Sequence, residues 1–196
     1  PSQTLKNAAS NLIEKYITHD KFRALVEAVD ADSDYIQERN ELVLYIGYYM
    51  GLRASEVVDP RNLLLSKLLN SSSEIENKVL VVGKGEKARH VIIPFTLKEK
   101  IKQFLSGRRK RTPGNLLICS KDGEALNRAF SSKLFAVAAR DTQDGYFAHR
   151  AFHSLRHTFA TNLVISCNER GDDPWTVVPE QMGHEDFTTT FEYIFF

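Results

Sequence analysis

The chain has 196 residues, of which 42% are hydrophobic and 26% charged, the composition of a soluble globular domain that buries its own core. It contains no apolar run of the roughly 20 residues that a membrane-spanning helix needs, so no such helix is expected. The formal net charge is only +1, but basic residues cluster at 84–89 and 108–111, which allows one basic face. Cys119 and Cys167 form no CxxC pattern, and we expect buried, reduced thiols, as in a cytoplasmic protein.

The first part of the chain is predicted to be helical. Residues 1–15 have weak patterning and are expected to form a tail or linker. Thr18 is suited to cap a helix whose apolar residues recur at helical spacing. A longer helix is predicted over 33–50, ended by Gly51, with a short helix following at 55–58.

The pattern changes to β structure near residue 78. Residues 79–82 and 88–93 are two β-branched runs around a glycine-bearing turn, the pattern of a β-hairpin, and 116–118 is a short third strand. Further helices are predicted at 96–105, 127–140, 152–165, 175–182 and 188–193. The sequence therefore predicts an α+β fold, mainly helical, with a small three-stranded antiparallel sheet.

Four segments carry residues suited to phosphodiester chemistry without a metal. In such a reaction, fixed cations must face the charge that develops on the non-bridging oxygens, and the arginine fork matches two oxygens. A nucleophile must attack, and the leaving oxygen must be protonated. The segments are 51–56 with Arg53 and Glu56, the hairpin turn with Lys84 and Lys87, 153–156 with His153 and Arg156, and 183–193 with His184 and Tyr193.

In this order, the four segments resemble the catalytic domain of tyrosine recombinases, the phage-integrase class. The resemblance spans about 16–193, nearly the whole chain. GLRASE at 51–56 is similar to the family's first-arginine motif, and GKGEKAR at 83–89 is similar to its lysine hairpin. HSLRHTFAT at 153–161 is similar to the HxxR segment. MGH…TT…Y at 182–193 is similar to the LGH…TT…Y ending, with methionine in place of leucine.

The resemblance implies a site-specific recombinase that cuts and rejoins DNA through a covalent tyrosine intermediate. Tyr193 would attack the phosphate and form a 3′-phosphotyrosine, releasing a 5′-hydroxyl, with no metal, cofactor or ATP. Arg53 and Arg156 would clamp the non-bridging oxygens. His184 would donate a further hydrogen bond to the phosphate.

The remaining site residues assist this reaction in the same resemblance. Lys84 would protonate the leaving 5′-oxygen, with Lys87 as the alternative. His153 would position the phosphate and accept the tyrosine proton. Glu56, Lys87 and Arg89 are expected to support the site or to contact DNA.

The resemblance also implies how the domain is used. The family has an N-terminal helical domain that grips the opposite face of the DNA, and a segment after the tyrosine that docks on a neighbouring subunit. Residues 16–196 are therefore expected to be a catalytic domain that lacks both parts. The implied partner is double-stranded DNA, with a homotetramer on DNA for the full-length protein, a monomer for the fragment, and a location in the bacterial cytoplasm. Integrase, resolvase and transposon recombinase stay open alternatives.

Two other functions are weighed against this one. His149, His153 and His157 fall four residues apart, a helical spacing that can bind zinc and would indicate a metal-dependent hydrolase. However, no glutamate completes an HExxH pattern, and Arg156 would place a cation beside the metal. The second alternative is a DNA-binding module without catalysis, but all the motif residues are present, so nothing in the sequence supports it.

Overall fold

The fold is mainly helical with a small antiparallel sheet, as the sequence predicts. The computed structural model describes residues 13–183 and residue 194. The principal α-helices are α1 (His19–Glu27), α2 (Asp34–Met50), α3 (Ala54–Val57), α4 (Leu65–Leu68), α5 (Phe95–Ser106), α6 (Phe130–Asp141), α7 (Phe152–Arg170) and α8 (Pro174–Met182). Short 3₁₀ turns lie at Lys84–Glu86, Arg108–Arg111 and Gly145–Phe147. The helix predicted at 188–193 lies outside the described residues.

Local sequence signals set the ends of the first two helices. The Thr18 side chain accepts a hydrogen bond from the amide of Lys21 and so caps the start of α1. Helix α2 ends at Gly51, whose φ of 63° is a left-handed conformation that glycine adopts without strain. Both ends lie where the sequence predicts them. The chain therefore leaves α2 in a fixed direction, immediately before Arg53.

The sheet consists of one hairpin, β1 (Lys78–Val82) and β2 (Ala88–Ile92), in which Val81 pairs with Arg89. The third strand predicted at 116–118 is wrong, because among the described residues the sheet has two strands. Leu116 forms only an isolated bridge with Leu64. The Leu116 carbonyl instead accepts a hydrogen bond of 2.8 Å from the guanidinium of Arg109. The Arg109 side chain thus satisfies a carbonyl that a neighbouring strand would otherwise bind.

The hydrophobic core brings helices α2 and α7 into close contact. A Cβ atom added to Gly47 on α2 would lie 2.8 Å from both Leu155 Cδ1 and Phe152 Cζ on α7, so only glycine fits there. A smaller cluster, formed by Ala160, Val164, Val178 and Met182, joins α7 to α8. This packing brings the first turns of α7 beside the end of α2, and it brings the end of α8 against α7.

The segment before α1 is fixed on helix α7 by hydrogen bonds. The Ile17 amide donates to Thr158 Oγ1 at 2.9 Å, and the Tyr16 hydroxyl donates to Asn162 Oδ1 at 2.8 Å. Arg150 Nε donates to the Tyr16 carbonyl at 3.0 Å. Residues 16 and 17 are therefore anchored to the same helix that carries His153 and Arg156.

Three smaller features complete the description of the fold. Cys119 and Cys167 are both buried free thiols. No helix in the described part of the chain is long and apolar enough to cross a membrane. Helix α7 continues five residues beyond the predicted end, to Arg170, because the left-handed residue that stops it is Gly171, with φ of 75°.

Candidate active site

Arg53 and Glu56 form the first part of the site, at the junction between α2 and α3. Arg53 lies at the N-cap of α3 with extended backbone, and its amide donates to Glu56 Oε2 at 2.8 Å. Its Nη1 donates to Glu56 Oε1 at 2.9 Å. The Glu56 side chain is only 3% exposed, whereas that of Arg53 is 30% exposed. Glu56 therefore fixes the position of Arg53 from the interior side, and part of the Arg53 guanidinium stays open to solvent.

Arg89, on β2, binds the same glutamate with both ends of its fork. Its Nη1 donates to Glu56 Oε1 at 3.0 Å and its Nη2 to Glu56 Oε2 at 2.9 Å. Its Nε donates to the Gln181 carbonyl at 2.9 Å, and its side chain is 8% exposed. Burial by itself would raise the pKa of Glu56. The hydrogen bonds and charge of Arg89, with the Arg53 amide and the charge of Arg156, outweigh burial and lower that pKa. The carboxylate thus stays ionised at neutral pH, and Arg89 faces the interior.

Arg156, on α7, connects the two turns that precede predicted catalytic residues. Its Nη1 donates to the Gly51 carbonyl at 2.6 Å, two residues before Arg53, and its Nη2 donates to the Met182 carbonyl. The residue is 2% exposed. Met182 lies two residues before His184. The backbone leading to each end of the site is therefore tied to one guanidinium.

His153 lies one helical turn before Arg156, on the same face of α7. Its ring meets that of His157 edge to face, with centroids 4.5 Å apart. Part of the ring is exposed, yet the surrounding protein and then the charges of Arg156, Lys15 and Arg53 lower the pKa of His153 to about 4. The imidazole is therefore neutral at pH 7 and available as a hydrogen-bond acceptor.

The same charges show which cations share one region. Arg53, Arg156 and Lys15 all act on the His153 ring. Lys15 was not singled out by sequence analysis, because it belongs to a segment whose weak patterning predicted a tail or linker. Only the anchoring of the next two residues on α7 brings it to the site. In the sequence, Lys15 could be recognised only as a lysine directly before an aromatic residue, Tyr16, and that pattern is not specific for a phosphate site.

The hairpin turn brings Lys84 to a cleft that also contains Arg53. The cleft has a volume of about 460 Å³, and its basic lining residues are Arg53, Arg61, Lys84 and Arg128. Lys84 is exposed, while Lys87 is exposed but does not line the cleft. Arg61 pairs with both Asp59 and Glu86 and so links one side of the hairpin turn to the wall of the cleft. This geometry favours Lys84 over Lys87. Arg128 is a further cation that sequence analysis did not identify.

The structure thus groups most of the predicted site. Arg53, His153 and Arg156 share one positive region, Lys84 lines the cleft beside Arg53, and the internal supports are Glu56 and Arg89. His184 and Tyr193 lie outside the described residues. The turn that leads to them is fixed, since the Gly183 amide donates to the Pro179 carbonyl at 2.8 Å.

The histidine spacing that suggested zinc does not produce a shared helix face. His149 lies in the turn before α7, which begins only at Phe152, so it cannot share a helix face with His153 and His157. That prediction is wrong because the helix starts three residues later than the spacing requires. Within the described residues, no group of three or more histidine, cysteine, aspartate or glutamate side chains is placed to hold a metal ion.

The fold is that of tyrosine-recombinase catalytic domains. The chain belongs to the phage integrase family, whose model matches residues 15–195. Tyrosine recombinase XerC of Alcanivorax borkumensis is 30% identical over 184 residues, which cover 92% of this chain and 55% of the relative. The chain therefore spans about half the length of the curated relatives that it matches.

Solved structures give the same result. The XerH site-specific recombinase bound to its difH substrate, in a pre-cleavage complex, has a TM-score of 0.68 and 26% identity, over 91% of this chain and 50% of that one. A lambda integrase dimer bound to a COC′ core site has a TM-score of 0.64 and 16% identity, over 91% and 47% of the two chains. The second likeness supports the fold alone.

Proposed function

We propose that this chain is the catalytic domain of a site-specific DNA recombinase that cleaves and rejoins strands through a 3′-phosphotyrosine. One observation carries the proposal: Arg156 binds the Gly51 carbonyl, two residues before Arg53, and Arg53 lines the same cleft as Lys84. These cations suit a phosphate that gains negative charge in its transition state. XerC is a tyrosine recombinase by name, and XerH is a site-specific recombinase solved with its difH substrate, which supports the same function here.

In the proposed cleavage step, the Tyr193 oxygen forms a bond to phosphorus as the bond from phosphorus to the 5′-oxygen breaks. The phenol proton passes to the neutral His153 ring, since tyrosine is protonated at pH 7 and needs a base. Lys84 gives a proton to the leaving 5′-oxygen. Arg53 and Arg156 stabilise the non-bridging oxygens, with His184 as a further donor.

Rejoining is the reverse of this step. A free 5′-hydroxyl attacks the phosphotyrosine, Lys84 takes the proton back, and Tyr193 leaves with the proton that His153 returns. The number of phosphoester bonds is unchanged, so we propose that ATP is not required. We propose that Arg53 and Arg156 supply the charge stabilisation for which a metal would otherwise be needed. We also propose double-stranded DNA as the substrate, a cytoplasmic location, and a homotetramer on DNA for the full-length protein, with the isolated domain monomeric.

Covalent trapping tests the proposed function. The chain is incubated with nicked DNA duplexes whose central sequence is randomised, so that cleavage beside the nick releases a short fragment and leaves the protein attached. Denaturing gels should show a protein–DNA adduct, and sequencing the attached DNA gives the target site. Tyr193→Phe should abolish the adduct but keep DNA affinity, whereas Tyr45→Phe, on α2, should form it as wild type does. Adduct formation by Tyr193→Phe would show that another residue is the nucleophile.

A further inference from the structure

The buried ion pair of Arg89 and Glu56 lies where three segments of the site meet. Glu56 accepts four hydrogen bonds, two from Arg53 and two from Arg89. Arg89 also binds the Gln181 carbonyl, and the Gln181 side chain accepts a hydrogen bond of 3.0 Å from the Ile92 amide. The pair therefore joins the first-arginine junction, the hairpin and the end of α8 through hydrogen bonds.

Two glycines pack directly against this pair. A Cβ atom added to Gly83 would lie 2.7 Å from Glu56 Oε1 and 3.1 Å from Arg89 Nη1. A Cβ atom added to Gly183, which has φ of +64°, would lie 2.9 Å from Arg89 Cδ. Each glycine immediately precedes a residue of the proposed reaction, Lys84 in one case and His184 in the other. The pair thus lies directly against Gly83 and Gly183, the residues that precede Lys84 and His184 in sequence.

We infer that Arg89 is a positioning residue, which sets the hairpin carrying Lys84 and the turn before His184 relative to Arg53. The inference rests on the proposed function. Arg89 is not suited to contact DNA, because both ends of its fork bind the Glu56 carboxylate and its Nε binds the Gln181 carbonyl. Its charge is matched by Glu56, so the pair adds little net field at the phosphate. Its effect on the reaction comes from the geometry that it fixes.

Arg89→Lys is the sharpest variant, with Arg109→Lys as the matched control. Lysine keeps the positive charge but not the planar fork that reaches both Glu56 oxygens and the Gln181 carbonyl. Arg109 is also a buried arginine, 3% exposed, but it binds backbone carbonyls near residues 112–116, away from the cleft. Both variants lose arginine hydrogen bonds in the interior. Only the first disturbs the proposed site.

The first readout is single-turnover cleavage at saturating nicked DNA, well below the unfolding temperature of every variant. We expect Arg89→Lys to lower the cleavage rate by about tenfold or more, as misplaced catalytic groups do, while Arg109→Lys stays near wild type. The DNA dissociation constant and its salt dependence should be unchanged in both. A weaker affinity with a salt slope reduced by about one would identify Arg89 as a direct phosphate contact and overturn the inference. An unchanged rate, or equal losses in both variants, would overturn it as well.

The second readout needs no DNA and separates this inference from the proposed function. The Gly83 amide donates to the Lys87 carbonyl and the Gly183 amide to the Pro179 carbonyl, both at 2.8 Å, so each reports on one segment. In Arg89→Lys, hydrogen exchange at both amides should rise together by about tenfold through local opening. A rise at one alone, or at neither, would show that the segments are not coupled. If wild type forms no DNA adduct but the amides respond together, the proposed function fails and the coupling stands.

Gly83→Ala gives the same test if Arg89→Lys does not fold. The new methyl group presses on the Glu56 carboxylate while both charges remain in place. We expect faster exchange at the Gly183 amide, which is about 100 residues away in sequence. Gly145→Ala is the control, since an added Cβ there meets nothing within 4 Å. Equal exchange at Gly183 in the two variants would contradict the inference.

Discussion

At the scale of single residues, the two arginines of the site differ in what they hold. Arg156 is buried and binds two backbone carbonyls. Arg53 is partly exposed and pairs with Glu56, which is also paired with Arg89. Arg156→Ala should therefore lower the free energy of unfolding by about 3 kcal/mol, because it leaves buried carbonyls without a charged donor. Arg53→Ala should cost about 1 kcal/mol or less, as for a partly exposed ion pair.

Both variants should nonetheless lose cleavage by roughly 10²–10³-fold, the usual effect of removing one preorganised donor. Urea denaturation gives the stability difference, and adduct formation at low temperature gives the rate. Similar unfolding free energies for the two variants would contradict the distinction between them. A rate loss under about tenfold in either one would count against the phosphate clamp.

His153 should make the stability of the domain depend on pH. Its folded pKa of about 4 lies below the ordinary 6.5, so between these values the unfolded chain binds more protons than the folded one. The free energy of unfolding therefore falls as the pH is lowered from 6.5 toward 4. His153→Gln should flatten this dependence between about pH 6.5 and 5.

Thermal unfolding in a series of buffers measures that dependence. His90→Gln is the control, since His90 is an exposed histidine on β2 and should keep the wild-type slope. A wild-type unfolding temperature that rises on acidification through this window would show that the His153 pKa is raised rather than lowered.

Sequence patterns predict which residue types the site uses, but not how each is buried. The motifs indicate Arg53, Arg156 and Lys84. In the structure, Lys84 lines a cleft with Arg53, and Arg156 binds the turn before Arg53. They do not reveal that Arg89 faces inward, because a basic residue in a hairpin looks the same whether it binds phosphate or a buried carboxylate. They also miss Gln181 and Lys15, whose roles depend on contacts with distant segments.

At the scale of elements, the boundaries that follow local signals are the ones predicted well. Thr18 and Gly51 end helices by their own chemistry, and the hairpin is evident from its β-branched runs. Residues 116–118 are apolar enough for a strand, but their pairing depends on Arg109, which belongs to a different turn. His149 likewise has helical spacing to His153, and the turn before α7 separates them.

The anchoring of residues 16 and 17 on α7 provides a test at this scale. Thr158 is fully buried, and its Oγ1 accepts from the Ile17 amide and donates to the Ser154 carbonyl. Thr158→Val keeps the shape but leaves the Ile17 amide without its acceptor, at a cost of about 1–3 kcal/mol. Thr161→Val removes only a hydrogen bond within α7 and should cost about 1 kcal/mol or less.

Chemical denaturation of the two valine variants measures this difference. Hydrogen exchange at the Ile17 amide should increase in Thr158→Val and stay at the wild-type rate in Thr161→Val. Equal stability losses, or an Ile17 amide that stays protected in Thr158→Val, would show that the segment is held by packing instead.

At the scale of the whole molecule, the distribution of charge matters more for DNA binding than the net charge does. The net charge of +1 would by itself predict weak attraction to DNA, but the cleft and the region beside it hold several cations close together. Three carboxylates also line the cleft: Glu56 is buried beneath Arg53 and Arg89, while Asp59 and Glu86 both pair with Arg61. The partly exposed Arg53 and the exposed Lys15, Lys84 and Arg128 are therefore left to meet phosphates.

DNA binding should then depend steeply on salt. With three to four phosphate contacts, the logarithm of the association constant should fall with the logarithm of salt concentration with a slope of about −3, at roughly −0.9 per contact. Lys84→Gln should reduce the magnitude of that slope by about one, whereas Lys67→Gln, outside the cleft, should leave it unchanged. Fluorescence anisotropy with a labelled duplex, from 50 to about 300 mM salt, measures both slopes. A flat response in wild type would mean that the cations of this cleft do not bind a nucleic-acid backbone, and DNA would have to be abandoned as the substrate.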